Sequence, residues 1–374
     1  MTDTSTVRWL NTPEELDRWL AQAPDRPLAL DTEFERVSTF FPIPGLVQLG
    51  LGEDLRLVEP AVAEASQAFR DCLAGTERPK LLYAMSEDME LFRHWLDLEP
   101  RAVLDLQLAS ALAGLGFSVG YAKLVETLFD VAIDKSATRS DWLARPLSDV
   151  QCQYALEDIR YLEPMYERLT AMLEERGFYT AWLEESERFA KDLASQGEPE
   201  EYYLKIRGGW QLTPRQQAVL RELAAWREQE CRRRDRPRNR VLADAALIRI
   251  AERMPESKGA LGALQDVPPV VVRRYGETLL ACVERGESSD GITDRIETPL
   301  TRDEQGLFKQ VKRLIRGEAE ARDVPVELVA PRKRIEACIR RWDSNDDAAR
   351  FFTEGWRGDM LAPVLGDVSR VLSE

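Results

Sequence analysis

The stretch LALDTEF, residues 28–34, runs from an apolar segment straight into two acids. Leu28-Ala29-Leu30 has the look of a buried strand. A second apolar run, Leu46-Val47-Gln48-Leu49, follows a bend marked by Pro42, Pro44 and Gly45. Side chains two apart on a strand point to the same face, so Asp31 and Glu33 lie side by side. Two such anions repel one another and cost stability unless a cation joins them. Exposure at the strand's C-terminal edge and a divalent-metal site both fit the pair taken alone.

The neighbouring residues predict an α/β domain. Strands are expected at 28–34, 45–51, 54–59, 80–85 and 102–106, on β-branched and leucine content bounded by Gly, Pro or Asp. Gly52-Glu53, between the second and third, suggests a hairpin. Periodicity near 3.6 residues places helices at 12–21, 62–74 and 87–96. Such mixing argues for a mixed sheet with helices around it. From about 120 to 195 the pattern is helical, and SQGEPEEYYLKIRGGW, 195–210, reads as a linker.

Beyond it the chain repeats itself. Residues 211–241 align without gaps on 299–329: Leu212 with Leu300, Thr213 with Thr301, Gln217 with Gln305, and Asp235-x-Pro237 with Asp323-x-Pro325. In both copies a threonine stands where an N-cap belongs, ahead of a long amphipathic helix. Two small helical domains follow from this.

Composition narrows the class. With 374 residues, 44% apolar and 31% charged, this is an ordinary globular chain of two or three domains. No run approaches the roughly 18 apolar residues of a membrane span, and the start, MTDTSTVRWL, lacks a signal-peptide layout. The five cysteines are scattered and never in CxxC spacing, which argues against a disulfide framework or zinc site and for a reducing cytoplasm. The net charge of −15 is uneven: residues 1–205 carry −18 and residues 206–300 carry +3. CRRRDRPRNR, 231–240, is the one dense basic stretch. It is either a solvated helix end or a stripe that contacts phosphates through Arg232, Arg233 and Arg234.

Further acids bear on the first pair. Asp88 follows the apolar segment KLLYAM at the start of SEDMELFRHWL, a strand-to-helix corner. Tyr154 and Asp158, in QYALEDIRYL, are four apart and share a helix face. Four carboxylates on three elements, with a tyrosine beside the last, are what two divalent cations such as Mg²⁺ or Mn²⁺ need. The matching chemistry is in-line attack of water on a phosphodiester. A tyrosine with a pKa of about 10 is a poor base, so its better role is to hold the attacking water through a hydrogen bond. His94, the single histidine, reads as a surface or packing residue.

LALDTEF, AMSEDMELF and DKSATRSDWLARPLSDVQCQYALEDIRYL resemble the three exonuclease motifs of the ribonuclease D family, in the tyrosine subclass of the DEDD superfamily. The repeat after residue 210, with Trp226-Arg227-Glu228 and Asp-x-Pro, resembles the helicase-and-ribonuclease-D C-terminal (HRDC) domain. The resemblance covers about residue 7 to 374. It implies a ribonuclease-H-like mixed sheet flanked by helices over 1–205, then HRDC-like all-α domains at 206–290 and 291–374, the second divergent. By the resemblance, Asp31, Glu33, Asp88 and Asp158 bind two divalent ions and Tyr154 positions water. The implied reaction is 3′-to-5′ hydrolysis of RNA with release of nucleoside 5′-monophosphates. Trimming of 3′ ends of tRNA precursors and other small structured RNAs is the usual role. The sequence departs from the pattern at Tyr83, where some members have histidine, and at Leu106, where threonine is common. Ile315-Arg316 replaces the Trp-Arg pair in the second repeat.

The implied partner is RNA with an accessible 3′ end, bound by a cytoplasmic monomer without a membrane. Phe34, Lys135, Arg139, Trp142 and Arg145 each have two readings. Lys135, Arg139 and Arg145 could contact phosphates and the aromatics stack on bases. Alternatively Phe34 and Trp142 are core, with Phe40 and Phe41, and Arg145 pairs with a local acid. The acids do not separate RNA from DNA as substrate, and a catalytically inactive RNA-binding protein is the third alternative. An intact acid quartet argues against the last.

Overall fold

The computed structural model describes residues 7–133, 140–195, 197–289, 295–341 and 347–373. Six strands form one mixed sheet: β1 (Trp9–Leu10), β2 (Leu28–Glu35), β3 (Ile43–Leu51), β4 (Asp54–Val58), β5 (Lys80–Leu82) and β6 (Val103–Asp105), in the order β1-β4-β3-β2-β5-β6. The β2–β5 and β5–β6 pairs are parallel, as is β1–β4. The expected hairpin is present. Strands β3 and β4 pair antiparallel with Leu51 opposite Asp54, and Gly52 takes φ +65°, which glycine adopts without steric cost.

Strand β2 lies inside the sheet and is covered on both sides, which accounts for its unbroken apolar start. Leu28 and Leu30 join a core with Leu16, Phe69, Met89 and Phe92 on one face. Ala29 joins the opposite core with Leu46, Leu57, Ala155 and Ile159. The alternation carries on into the acids, so Asp31 and Glu33 continue the Ala29 face, toward the helix Asp149–Arg160.

One element was not expected and two expectations need correction. The two-residue edge strand β1 has no signal of its own and becomes a strand only by pairing with β4. The helix expected at 62–74 is two, Pro60–Ala65 and Gln67–Ala74. They meet at Ser66, whose hydroxyl donates to Asp17 (2.5 Å) and accepts from the Phe69 amide (3.0 Å). The 195–210 stretch is not a loose linker. Its short 3-10 turns bury Tyr203 and Ile206, which the surrounding Glu, Pro and Gly disguise.

The chain forms two compact units. One holds residues up to 35, 44–193 and those from 300 onward, so the second repeat shares a unit with the sheet. A buried ion pair fastens it there: Arg357 Nη1 donates to Glu185 Oε2 at 2.6 Å, and its other nitrogens donate to the carbonyls of Leu328 and Val329. Burial raises the Glu185 pKa, but hydrogen bonds from Arg188 and Arg357 outweigh it and pull the carboxyl down to about 2.

The other unit holds residues 36–43 and 194–299. Its long helices are Pro214–Arg234 and Pro269–Ser288, with Asp244–Arg253 between them in sequence. The repeat is visible in detail. Thr213 with Gln216 and Thr301 with Glu304 form matching capping boxes, and Asp235 and Asp323 both take left-handed φ before their prolines. A Cβ on Gly286 would lie 2.5 Å from the Val219 Cα, so the two long helices of this unit cross where only glycine fits. Gly286→Ala is therefore expected to lower stability by roughly 1–3 kcal/mol, the cost of overpacking a close contact. Denaturant unfolding of the full chain measures this.

Candidate active site

The sequence-expected acids come from the elements expected. Asp31 and Glu33 stand near the end of β2, and Asp158 lies in the last turns of the helix Asp149–Arg160. That helix starts with a Ser148–Gln151 capping box, which fixes its entry and so the turn on which Asp158 falls. One carboxylate oxygen from each of Asp31, Glu33 and Asp158 can be chosen so that all lie within 4.8 Å of one another. Asp88 sits in the first turn of the helix Ser86–Leu96 and is 7% exposed. Its Oδ1 accepts a hydrogen bond from the Thr32 hydroxyl at 2.5 Å. Sequence reasoning missed Thr32. It sits between the two acids but on the opposite face of β2, and nothing local marks its partner 56 residues away.

Charge crowding is written into the acids. Burial, then the charges of Asp88, Asp158 and Glu33, hold the Asp31 carboxyl well above the usual carboxylate range. Glu33 is pushed up to about 8 by burial and then by Asp158 and Asp88. Asp88 is raised by burial, opposed by its hydrogen bond from Thr32. Burial also raises Asp158, and the Tyr154 hydroxyl opposes this by hydrogen bonding to its carboxyl. Anions that resist ionisation together are relieved by a nearby cation. The donor set, all oxygen and all carboxylate, suits a hard divalent ion.

The expected substrate contacts divide. Lys135 and Arg139 lie outside the described residues. Phe34 is half-buried in β2. Trp142, expected as core or as a base-stacking surface, is 4% exposed, with its ring centroid 6.0 Å from that of Tyr154. It backs the tyrosine. It presses so closely on β3 that a Cβ on Gly45 would meet the Trp142 Cβ at 2.8 Å and its carbonyl oxygen at 2.9 Å. Arg145 donates to both oxygens of Glu59, at 2.8 and 2.7 Å, and to the Gly45 carbonyl, so the local-acid reading describes it.

The arginine run is likewise partnered within its own unit. Arg232 donates to Glu228 and lies over the Phe40 ring at 4.9 Å. Arg234 donates to the Tyr275 hydroxyl at 2.7 Å. Arg233 pairs with Glu230 but keeps 69% of its side chain exposed. Acids one helical turn earlier, and an aromatic ring far away in sequence, take up most of the charge that looked free.

A mixed sheet carrying clustered acids on its central strand and adjoining helices defines a class of metal-dependent nuclease. A family model described as 3′-5′ exonuclease matches residues 7–174. Models for the HRDC domain and for the ribonuclease D C-terminal HRDC domain match 216–283 and 305–365. Ribonuclease D of Pseudomonas paraeruginosa is 36% identical over 96% of each chain. The crystal structure of Escherichia coli RNase D, described as an exoribonuclease involved in structured RNA processing, superposes with a TM-score of 0.88 at 32% identity. That match covers 97% of this chain and 98% of the other. The catalytic core of RRP6 from Trypanosoma brucei, 21% identical with a TM-score of 0.58 over 78% of this chain and 82% of the other, shares the fold. The chain belongs to the ribonuclease D family.

The raised carboxyl pKa values give a sign for pH dependence. Each acid titrates near 4 in the unfolded chain and higher in the folded one, up to about 8 for Glu33. Between those limits the folded chain holds more protons, so this cluster's contribution to stability falls as pH rises. Without metal, Asp31→Asn is expected to melt higher than the wild type at pH 8. The difference should shrink toward pH 4, where the acids are protonated. Thermal unfolding in chelator across this range measures it. A gap independent of pH would sink the crowding account.

Proposed function

We propose that Asp31, Glu33, Asp88 and Asp158 hold two divalent cations, Mg²⁺ or Mn²⁺, and that Tyr154 positions the attacking water in this 3′-to-5′ exoribonuclease. The observation that carries the reading is the convergence of three half-buried carboxylates within 4.8 Å, with pKa values raised by burial and, at Asp31 and Glu33, also by the neighbouring acids. Bound there, divalent cations would supply the positive charge that acidifies a water and stabilises the departing oxygen.

The protein's own groups do the rest. Thr32 ties one oxygen of Asp88 and so limits how its carboxylate can turn. Tyr154 is anchored through Asp158 and backed by Trp142, so its hydroxyl can hold a water in line without acting as a base. Hydrolysis releases nucleoside 5′-monophosphates one at a time. We read the natural substrates as tRNA precursors and other small structured RNAs with an accessible 3′ end.

We further read the chain as a cytoplasmic monomer. Among the described residues all five cysteines are free, and no helix is long and apolar enough to cross a membrane. The three-module division, 1–205, 206–290 and 291–374, is our description of what the chain was assembled from. Of Arg232, Arg233 and Arg234, Arg233 keeps the most exposed side chain for a phosphate contact.

The test is a time course on 5′-labelled single-stranded RNA and its DNA counterpart, with Mg²⁺, with Mn²⁺ and with chelator. The expected result is a ladder that shrinks from the 3′ end of RNA and vanishes with chelator. Asp31→Ala should lose more than about 100-fold of the rate, beyond the cost of losing an outer-sphere partner. Tyr154→Phe should lose about 10–100-fold in kcat with KM little changed. Preference for DNA would redirect the substrate assignment, and activity in Asp31→Ala would overturn the site.

A further inference from the structure

Asp105 closes β6 and is 1% exposed. Its carboxylate is engaged by backbone from two directions. Oδ1 accepts from the amides of Ala84 (3.1 Å) and Gln107 (2.8 Å), and Oδ2 accepts from the amide of Met85 (3.1 Å). The Trp182 indole donates to the Asp105 carbonyl at 2.9 Å and holds its backbone in turn. Ala84 and Met85 are the corner between β5 and the helix Ser86–Leu96, the helix that bears Asp88 three residues on. That corner is not one the local sequence favours. Ala84 takes φ +57°, a left-handed conformation that residues with a Cβ avoid, and Met85 at the N-cap offers no side-chain cap. A carboxylate from a neighbouring parallel strand binds both amides of this corner, just ahead of the first helical turn, and holds it in its strained form.

Asp88 is thereby fixed twice. Thr32, on β2 between Asp31 and Glu33, grips its carboxylate, and Asp105, on β6, grips the start of its helix. The two grips come from strands on either side of β5. Were the corner to relax to ordinary φ, the helix start would turn and the Asp88 carboxylate would move relative to the other acids. Metal affinity responds steeply to such displacements, because ligand oxygens must converge on one ion.

We infer that Asp105 is a positioning residue of the nuclease site: by pinning the Ala84–Met85 corner it aims Asp88 at the Asp31–Glu33–Asp158 cluster and so sets the affinity for divalent cations. The inference rests on the reading that the four acids hold those cations.

The test uses the full chain as wild type, Asp105→Asn and Leu16→Ala. The asparagine keeps one acceptor oxygen but turns a donor toward one of the corner's amides. Leu16 is a fully buried core residue that none of the hydrogen bonds above involves, so its truncation reports general destabilisation. Two half-saturation concentrations for Mn²⁺ are measured. One comes from the rise of Tm on titration without RNA, the other from the rate of RNA hydrolysis. RNA affinity is measured in chelator.

Asp105→Asn should raise both half-saturation values by about 10–100-fold, as for loss of an outer-sphere support, with RNA affinity unchanged. Leu16→Ala should lower Tm at least as far with both values at wild-type level. Wild-type half-saturation in Asp105→Asn, or an equal shift in Leu16→Ala, would overturn the role. Should Asp105→Asn fail to fold, Asp105→Ser, which keeps one short acceptor, is read by the same criteria. If the wild type itself shows neither a metal-dependent Tm nor metal-dependent hydrolysis, the metal site fails and the role of Asp105 falls with it.

Discussion

Mutual repulsion among buried carboxylates is the constraint around which the nuclease sheet is organised. Placing Asp31 and Glu33 on an inner strand keeps them close, since a strand flanked by β3 and β5 has little freedom to splay. Asp158 and Asp88 are then brought in by helices, one on each face of that strand. Every element near the cluster opposes the tendency of the charges to separate. Thr32 holds Asp88 on the face its helix covers, Trp142 backs Tyr154, and the apolar contacts of Ala155 and Ile159 press the Asp158 helix onto β2 and β3. Such a cluster is a standing cost to the folded state, of the kind a bound cation would offset. On the proposed reading, stability and ion binding would be coupled through the same side chains.

What could be read in the sequence followed the range of the rules applied. The two-residue period of a strand placed Asp31 beside Glu33, and the helical period placed Tyr154 one turn before Asp158. Both are local facts. Asp88 was legible only as an acid at a corner, because its direction depends on Thr32 and Asp105, and neither hydrogen bond has a local signature. Lengths were misjudged where tertiary pairing decides them. Strand β1 exists only through β4, and Ser66 splits a helical run because its hydroxyl is needed at two places at once.

The arginine run shows the opposite case, a strong local signal whose partners lie partly out of local view. Six arginines in ten residues looked like free charge. Glu228 and Glu230 lie one turn before them, however, and Phe40 and Tyr202 offer ring faces to Arg238. Composition counts charges but cannot see how many are already neutralised. The matching stretch after residue 320 kept the turn geometry of Asp-x-Pro and lost most of the basic residues, so the repeat preserves a bend more faithfully than a surface.

Residues 36–43 leave the sheet's unit only a few positions after Glu33 and return before Gly45. There the amides of Phe40 and Phe41 both donate to the Asp235 carboxylate, and Phe40 is 6% exposed. The chain accordingly passes from one unit to the other four times, and no single cut frees either. A fragment ending at residue 205 would retain Phe40 and Phe41 but lose Asp235, Arg232 and Arg238, their partners. The Phe40 ring would then lose both arginines that lie over it, on the loop that follows Asp31 and Glu33. Recombining catalytic and helical modules between members of this family would therefore require exchanging two separate stretches of gene together, and the short one lies inside the nuclease.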